Sequence, residues 1–164
     1  MKTTDFIRMA LENGKGWTLG LVSDMKDLPL QQPTPNGGNH PLWVLGHIVR
    51  AESDLLDGFI LGKPNRFPEL ENFGMGHEPT TNASDYPSMD ELLGKFEEIR
   101  SATLAHLDTL SDDDLDKKSN APEDFGAVFA TVGACFAAMA THMAFHTGQV
   151  ADARRAAGRP PLMA

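Results

Sequence analysis

The strongest chemical signal in the chain is a pair of histidines four residues apart, His142 and His146. On a helix, residues at this spacing lie on one face about one turn apart, so both imidazoles can reach one divalent cation. Zinc peptidases share this spacing but place a glutamate directly after the first histidine. Met143 stands at that position here, which excludes the metalloprotease interpretation.

A third ligand for such a site is offered by His47. It lies on an apolar stripe of helical period, and the His142/His146 pair lies on another, so all three imidazoles are predicted to face a core. Three neutral imidazoles with an open position form the ligand set of many catalytic metal sites. The pattern leaves one alternative open, three core histidines that are hydrogen-bonded separately. The first stripe comprises Trp43, Val44, His47, Ala51 and Leu55.

Long helices must position these residues, and the periodicity predicts four of them. They span about residues 4–27, 41–61, a segment from Ser88 with apolar positions up to Leu110, and 123–157. This predicts an all-α fold, a single four-helix bundle domain over residues 1–164. The long connection between helices 2 and 3 can span the bundle, which gives an up-down-down-up order.

Apolar residues at helical spacing define the expected core faces of the first and last helices. Gly14, Gly16 and Gly20 weaken the first helix unless close packing requires them. Its core candidates are Phe6, Met9, Ala10, Trp17, Leu21 and Met25. The stripe of the last helix comprises Phe125, Val128, Val132, Cys135, Met139, His142, His146, Gln149 and Ala153.

The segment from residue 63 to 87 is rich in Pro, Gly and Asn. We expect it to cover one end of the site and to be more mobile than the helices. His77 on this segment is predicted to be an exposed loop histidine, with a fourth ligand or an acid–base group as the alternative. His40 is read as a helix-entry residue and His106 as partly exposed. Gln149 either hydrogen-bonds a ligand or substrate or is an ordinary polar residue of the stripe.

The composition argues against two classes of partner. The chain has 164 residues, 41% hydrophobic and 23% charged, and a formal net charge of −9. Nucleic acid and anionic membranes bind proteins through basic patches, whereas this chain is acidic, so neither is an expected partner. No apolar segment reaches membrane-spanning length. A single cysteine, Cys135, suits a buried core position and a reducing compartment, so we expect a cytoplasmic protein.

Two short motifs and the predicted helix layout resemble the DinB/YfiT-like superfamily of metal-binding four-helix bundles. Residues 43–47 (Trp-Val-Leu-Gly-His) are similar to its helix-two motif, and residues 142–149 (His-Met-Ala-Phe-His-Thr-Gly-Gln) to its helix-four motif. The resemblance implies one divalent metal, nickel or zinc, with His47, His142 and His146 as ligands. It also implies a homodimer and, in related branches, a low-molecular-weight thiol such as bacillithiol or mycothiol.

The chain departs from the family pattern around the second motif. Members often carry an acidic residue after the first histidine and a His-Arg pair around the second, where this chain has Met143, Phe145 and Thr147. The favoured hypothesis is a metal-dependent enzyme, either a thiol-dependent S-transferase or a hydrolase. The alternatives are a metal-stabilised bundle without catalysis and a small-molecule-binding bundle. The sequence assigns no catalytic residue and no substrate.

Overall fold

The computed structural model describes residues 1–126 and 128–162. Within these residues the protein is all-α, as predicted, and its only β-type pairings are two isolated bridges. None of the described helices is long and apolar enough to cross a lipid bilayer. The long helices are α1 (Thr3–Ser23), α2 (Pro41–Ser53), α3 (Met89–Leu107) and α4 (Val132–Ala156).

The helix that carries His47 begins at a well-defined cap. His40 is its N-cap, and the His40 Nδ1 accepts a hydrogen bond from the backbone N–H of Trp43 at 3.1 Å. Pro41 follows in the first turn, where its missing N–H is not needed. α2 then continues without a break as a π-helix over Asp54–Ile60, a wider turn that is frequent at functional sites.

The helices pack around one core, with α1 against α4 and α2 against both α3 and α4. Where α1 and α4 meet, the hydroxyls of Thr18 and Thr147 lie 2.6 Å apart and are both buried. Gly14 leaves room for the Met143 side chain at this contact, because a Cβ there would lie 2.2 Å from the Met143 Cε.

The predicted core face of the first helix is partly wrong. Phe6, Met9 and Trp17 are 52%, 45% and 53% exposed, while Met25 is fully buried as expected. The helix buries the adjacent stripe, because small residues on that stripe let α1 lie close to α4. The helix also ends at Ser23 rather than near residue 27. The buried stripe is Ile7, Leu11, Gly14, Thr18 and Val22.

The last helix begins nine residues later than predicted, at Val132 instead of residue 123. The Thr131 side chain caps it by accepting a hydrogen bond from the backbone N–H of Ala134 at 3.1 Å. Phe125 and Val128 therefore do not belong to the helical stripe. Val128 is 64% exposed, whereas Phe125 packs near Phe59, with ring centroids 6.0 Å apart.

The connection between α2 and α3 contains two short 3₁₀-helices, Pro68–Phe73 and Ala83–Asp85. Phe67, Leu70 and Phe73 are buried, so its first half is anchored in the core. Greater mobility of this connection than of the helices stays a prediction, which amide hydrogen exchange can test.

Candidate metal centre

The three histidines singled out from the sequence lie together between α2 and α4. The ring centroids of His142 and His146 are 4.4 Å apart. The His47 centroid lies 4.9 Å from that of His142 and 4.5 Å from that of His146. One ligand nitrogen from each ring lies within 4.8 Å of the others. Among the described residues this is the one group of three His, Cys, Asp or Glu side chains that could hold a metal ion.

Two of the rings are oriented by hydrogen bonds at their outer nitrogens. The His47 Nδ1 lies 2.6 Å from the Phe73 carbonyl oxygen, and the His146 Nδ1 lies 2.8 Å from the Gln149 Oε1. Both oxygens are acceptors, so each Nδ1 carries the proton and each Nε2 keeps a lone pair. Asn39 Nδ2 also donates to the Gln149 Oε1, at 3.0 Å, which holds that amide in place. Such partners fix the tautomer that a metal ligand needs.

Burial keeps the three imidazoles neutral. It lowers the pKa of His47 and of His146, and it lowers that of His142 to about 3, with His146 and His47 nearby adding to the effect. Unprotonated nitrogens are the form that binds a cation.

One pair of ligand nitrogens is spaced nearly as two ligands of a metal ion would be. The His47 and His142 Nε2 atoms are 3.1 Å apart. Two nitrogens that each lie about 2.0–2.1 Å from a tetrahedral zinc are roughly 3.3–3.4 Å from each other. Imidazole ligands suit zinc, nickel, copper or iron, whereas magnesium and calcium prefer oxygen.

The helix-two motif has a structural role at this site. The Trp43 ring stacks on the His47 ring at a centroid distance of 4.6 Å and an interplanar angle of 10°. A Cβ at Gly46 would lie 2.2 Å from the Phe73 ring, so only glycine lets α2 approach that ring. This contact brings the Phe73 carbonyl within reach of His47.

A cavity of about 460 Å³ opens beside His47 and His142. Its size lies within the usual range of about 300–1,000 Å³ for small-molecule sites. The cavity is mostly apolar, with Arg50 and Asp54 as the charged residues of its wall. The apolar wall includes Leu55, Phe59, Phe73, Met75, Phe125 and Phe129.

The remaining candidates from the sequence lie outside the histidine cluster. His77 is exposed and His106 is half-buried, as expected. His40 is buried, with its Nε2 2.8 Å from the Thr80 carbonyl oxygen. Cys135 is buried, as expected, and burial raises the pKa of its thiol to about 11, which makes it a poor nucleophile.

Replacing Gln149 by methionine is expected to lower the affinity for a divalent cation about 10- to 100-fold, because His146 loses the acceptor that orients it. Competition with a chelating dye measures this. Gln31→Met is the control, because the Gln31 side-chain amide donates to the neighbouring carbonyl of Gln32. Equal affinities of the two variants would contradict the orienting role.

No curated protein matches the chain in a sequence comparison. The profile of the DinB superfamily matches residues 10–150, which include all three histidines and most of the four long helices. The chain therefore belongs to the DinB superfamily.

Proposed function

We propose that the Nε2 atoms of His47, His142 and His146 hold one divalent ion, nickel or zinc, and that the protein uses it as a thiol-dependent transferase. The observation that carries this proposal is the convergence of the three rings beside a cavity, with two of the Nδ1 atoms engaged by carbonyl-type acceptors. A divalent ion held there would lower the pKa of a bound thiol and supply a thiolate at neutral pH.

The thiol is expected to come from a small molecule rather than from the chain. Cys135 is the only cysteine, and it is fully buried with a raised thiol pKa. Its Sγ faces the backbone oxygen of Phe129 at 3.8 Å. The cavity beside His47 and His142 leaves room for the molecule that accepts the thiol.

Thiol transfer is favoured over hydrolysis by the state of the carboxylate in the cavity. A hydrolase commonly needs a general base beside its water. Asp54 is the carboxylate of the described cavity wall, and its two oxygens already accept hydrogen bonds from Arg50 at 2.9 Å and from Asn65 at 2.7 Å. A thiol is far more acidic than water, so a metal-held thiol would release its proton to solvent at neutral pH without such a base. Transfer therefore suits these residues better.

Two measurements on protein produced without a histidine tag test this proposal. Elemental analysis should find about one nickel or zinc ion per chain. Bacillithiol, mycothiol, glutathione and coenzyme A are then each supplied with an electrophilic acceptor, and thioether product is measured with and without metal. Protein with one metal ion that consumes none of these thiols, but hydrolyses ester or amide substrates, would replace transfer by hydrolysis. Protein that binds no metal would overturn the proposal.

We also propose that the protein forms a homodimer through an exposed apolar stripe of α1. Phe6, Met9 and Trp17 lie within one side of that helix and are each about half exposed. Phe145 on α4, which packs against α1, is 67% exposed. Exposed apolar patches of this kind commonly mark protein interfaces.

The double substitution Met9→Glu/Trp17→Glu is expected to give a monomer, because it places charges at the centre of the apolar stripe. Light scattering over a concentration series measures the mass. Ser101→Glu/Ala105→Glu adds the same charges to an exposed part of α3 and should leave the dimer intact. A wild-type protein that stays monomeric at all concentrations would refute the interface.

The helices are proposed to form a four-helix bundle in up-down-down-up order. The contacts near the two ends of the helices support these directions. They support parallel directions for α1 and α4 and the opposite direction for α2 and α3. The supporting pairs are Thr18 with Thr147, Asp24 with Arg154, Arg8 with Asp108, Lys26 with Asp90, Asn39 with Gln149 and His47 with His142.

A further inference from the structure

The hydrogen-bonding groups of the cavity wall are unequally engaged. Asp54 accepts two hydrogen bonds, from the Nε of Arg50 and from Asn65. In the described part of the chain, Nε is the only guanidinium nitrogen of Arg50 that has a partner. Each oxygen of Asp54 therefore has a partner, whereas the Nη end of Arg50 offers N–H donors that have none among the described residues.

Arg50 is also placed to face the same space as the histidines. His47, Arg50 and Asp54 follow one another at steps of three and four residues, which puts them on one face of α2 and its π-helical continuation. All three line the cavity. The pairing with Asp54 holds the guanidinium by its Nε, so its planar Nη edge is available for a bidentate contact with a carboxylate.

The rest of the cavity suits an apolar body. Four phenylalanine rings line it, Phe59, Phe73, Phe125 and Phe129. Phe59 and Phe129 meet edge to face with centroids 5.3 Å apart, the arrangement in which aromatic rings attract one another. Gly58 adds to the space, because a Cβ built there would have no atom within 4 Å.

From these observations we infer that the cavity binds a small carboxylic acid with an apolar, preferably aromatic body. The carboxylate lies on the Nη edge of Arg50, and the body lies among the phenylalanine rings. The inference deepens the proposed function and rests on it in one respect: the bound acid lies beside His47 and His142, next to the proposed metal ion.

Calorimetry with simple probes tests the charge requirement. The probes are 3-phenylpropanoate and 4-phenylbutanoate, each compared with its uncharged amide, on zinc-loaded wild-type protein. The acids should bind about 10- to 100-fold more tightly than the amides, since hydrogen bonds to charged groups are the stronger ones. Arg50→Gln should remove this preference by weakening the acids alone. Arg155→Gln, which breaks an exposed pair with Asp152 on α4, should change neither affinity.

A cavity-filling substitution tests where the body lies. Gly58→Leu should abolish binding of both acids and amides while helix content and metal content stay at the wild-type level. Gly94→Leu places the same side chain at an exposed, open position of α3 and should leave binding unchanged.

Metal-free His142→Ala separates this inference from the proposed metal site. It should still prefer acids to amides, because Arg50 is present. A preference that disappears with the metal but survives Arg50→Gln would assign the carboxylate to the metal and overturn the role of Arg50. Zinc-loaded wild-type protein that binds neither acid at millimolar concentration would overturn the inference but leave the metal site standing. Wild-type protein that takes up no zinc but still binds the acids would do the reverse.

Discussion

Substitution of His142 by alanine is expected to lower the affinity for the divalent ion by more than about a hundredfold, because loss of a residue that merely orients a ligand already costs about 10- to 100-fold. His142 supplies one of three protein nitrogens in the proposed site, and water would have to replace it. Elemental analysis after dialysis against a chelator measures retained metal, and competition titration gives the affinity.

His77→Ala and His106→Ala are the matched controls, since both remove an imidazole that lies outside the histidine cluster. Both should keep metal at the wild-type level. A His142→Ala protein that retains one metal ion per chain would refute the site. So would metal-loaded wild-type protein with no spectroscopic sign of nitrogen ligands.

Metal should also stabilise the wild-type fold, because only the folded chain brings the three imidazoles together. At a free metal concentration about 100 times the Kd, binding adds about 2.7 kcal/mol to the free energy of unfolding. Thermal unfolding with and without metal measures this difference. We expect a rise in Tm for the wild type and none for His142→Ala. Equal Tm values for metal-free and metal-loaded wild type would contradict a site in the core.

The meeting of the three histidines could be predicted because their positions obey helix geometry. Residues four apart on a helix share a face, so His142 and His146 must lie side by side. His47 lies on an apolar stripe that has to face the same core. The orienting acceptor of His47 could not be predicted in this way. It is the backbone carbonyl of Phe73, and every residue has a carbonyl, so no residue type marks it.

The buried face of α1 was predicted wrongly because the hydrophobicity of single residues does not show how closely two helices can pack. α1 offers two apolar stripes, and the one with Phe6, Met9 and Trp17 carries the larger side chains. The other stripe is buried because Gly14 and Thr18 allow α4 to approach closely. This choice depends on the shape of the partner helix.

The π-helical turn that carries Asp54 and Gly58 into the cavity wall also escaped prediction. Its apolar spacing continues that of α2, so periodicity alone does not distinguish a wider turn from an α-helix. The start of α4 was missed for a related reason. Apolar residues continue upstream of Val132, but the helix begins only at Val132, where the Thr131 side chain caps its N-terminus.

Substitution of Arg100 by methionine is expected to lower the free energy of unfolding by about 3–5 kcal/mol, because it leaves a buried carboxylate without its partner. Arg100 and Glu52 are 1% and 3% exposed and form a two-point ion pair, with N–O distances of 2.9 and 2.7 Å. Thr103 also donates to the Glu52 carboxylate, at 2.7 Å. Urea unfolding measures the loss.

A double variant separates the unpaired charge from the loss of packing. Glu52→Leu/Arg100→Met removes both charges, and buried ion pairs replaced by apolar residues of similar size often cost little. It should therefore recover most of the stability that Arg100→Met loses. Arg8→Met, which breaks exposed pairs with Asp108 and Glu12, is the control and should cost no more than about 1 kcal/mol.

The buried pair of Arg100 and Glu52 also gives a structural reason for the methionine that follows the first histidine of α4. The Met143 Sδ lies 3.3 Å from the Nη2 of Arg100, and Met143 is 1% exposed. Glu52 already neutralises Arg100 from α2, so an acidic side chain at position 143 would bury a second negative charge beside one cation. Met143→Glu is therefore expected to destabilise the fold by several kcal/mol, about as an unpaired buried charge does. A Met143→Glu protein as stable to urea as the wild type would show that Arg100 can accept a second carboxylate.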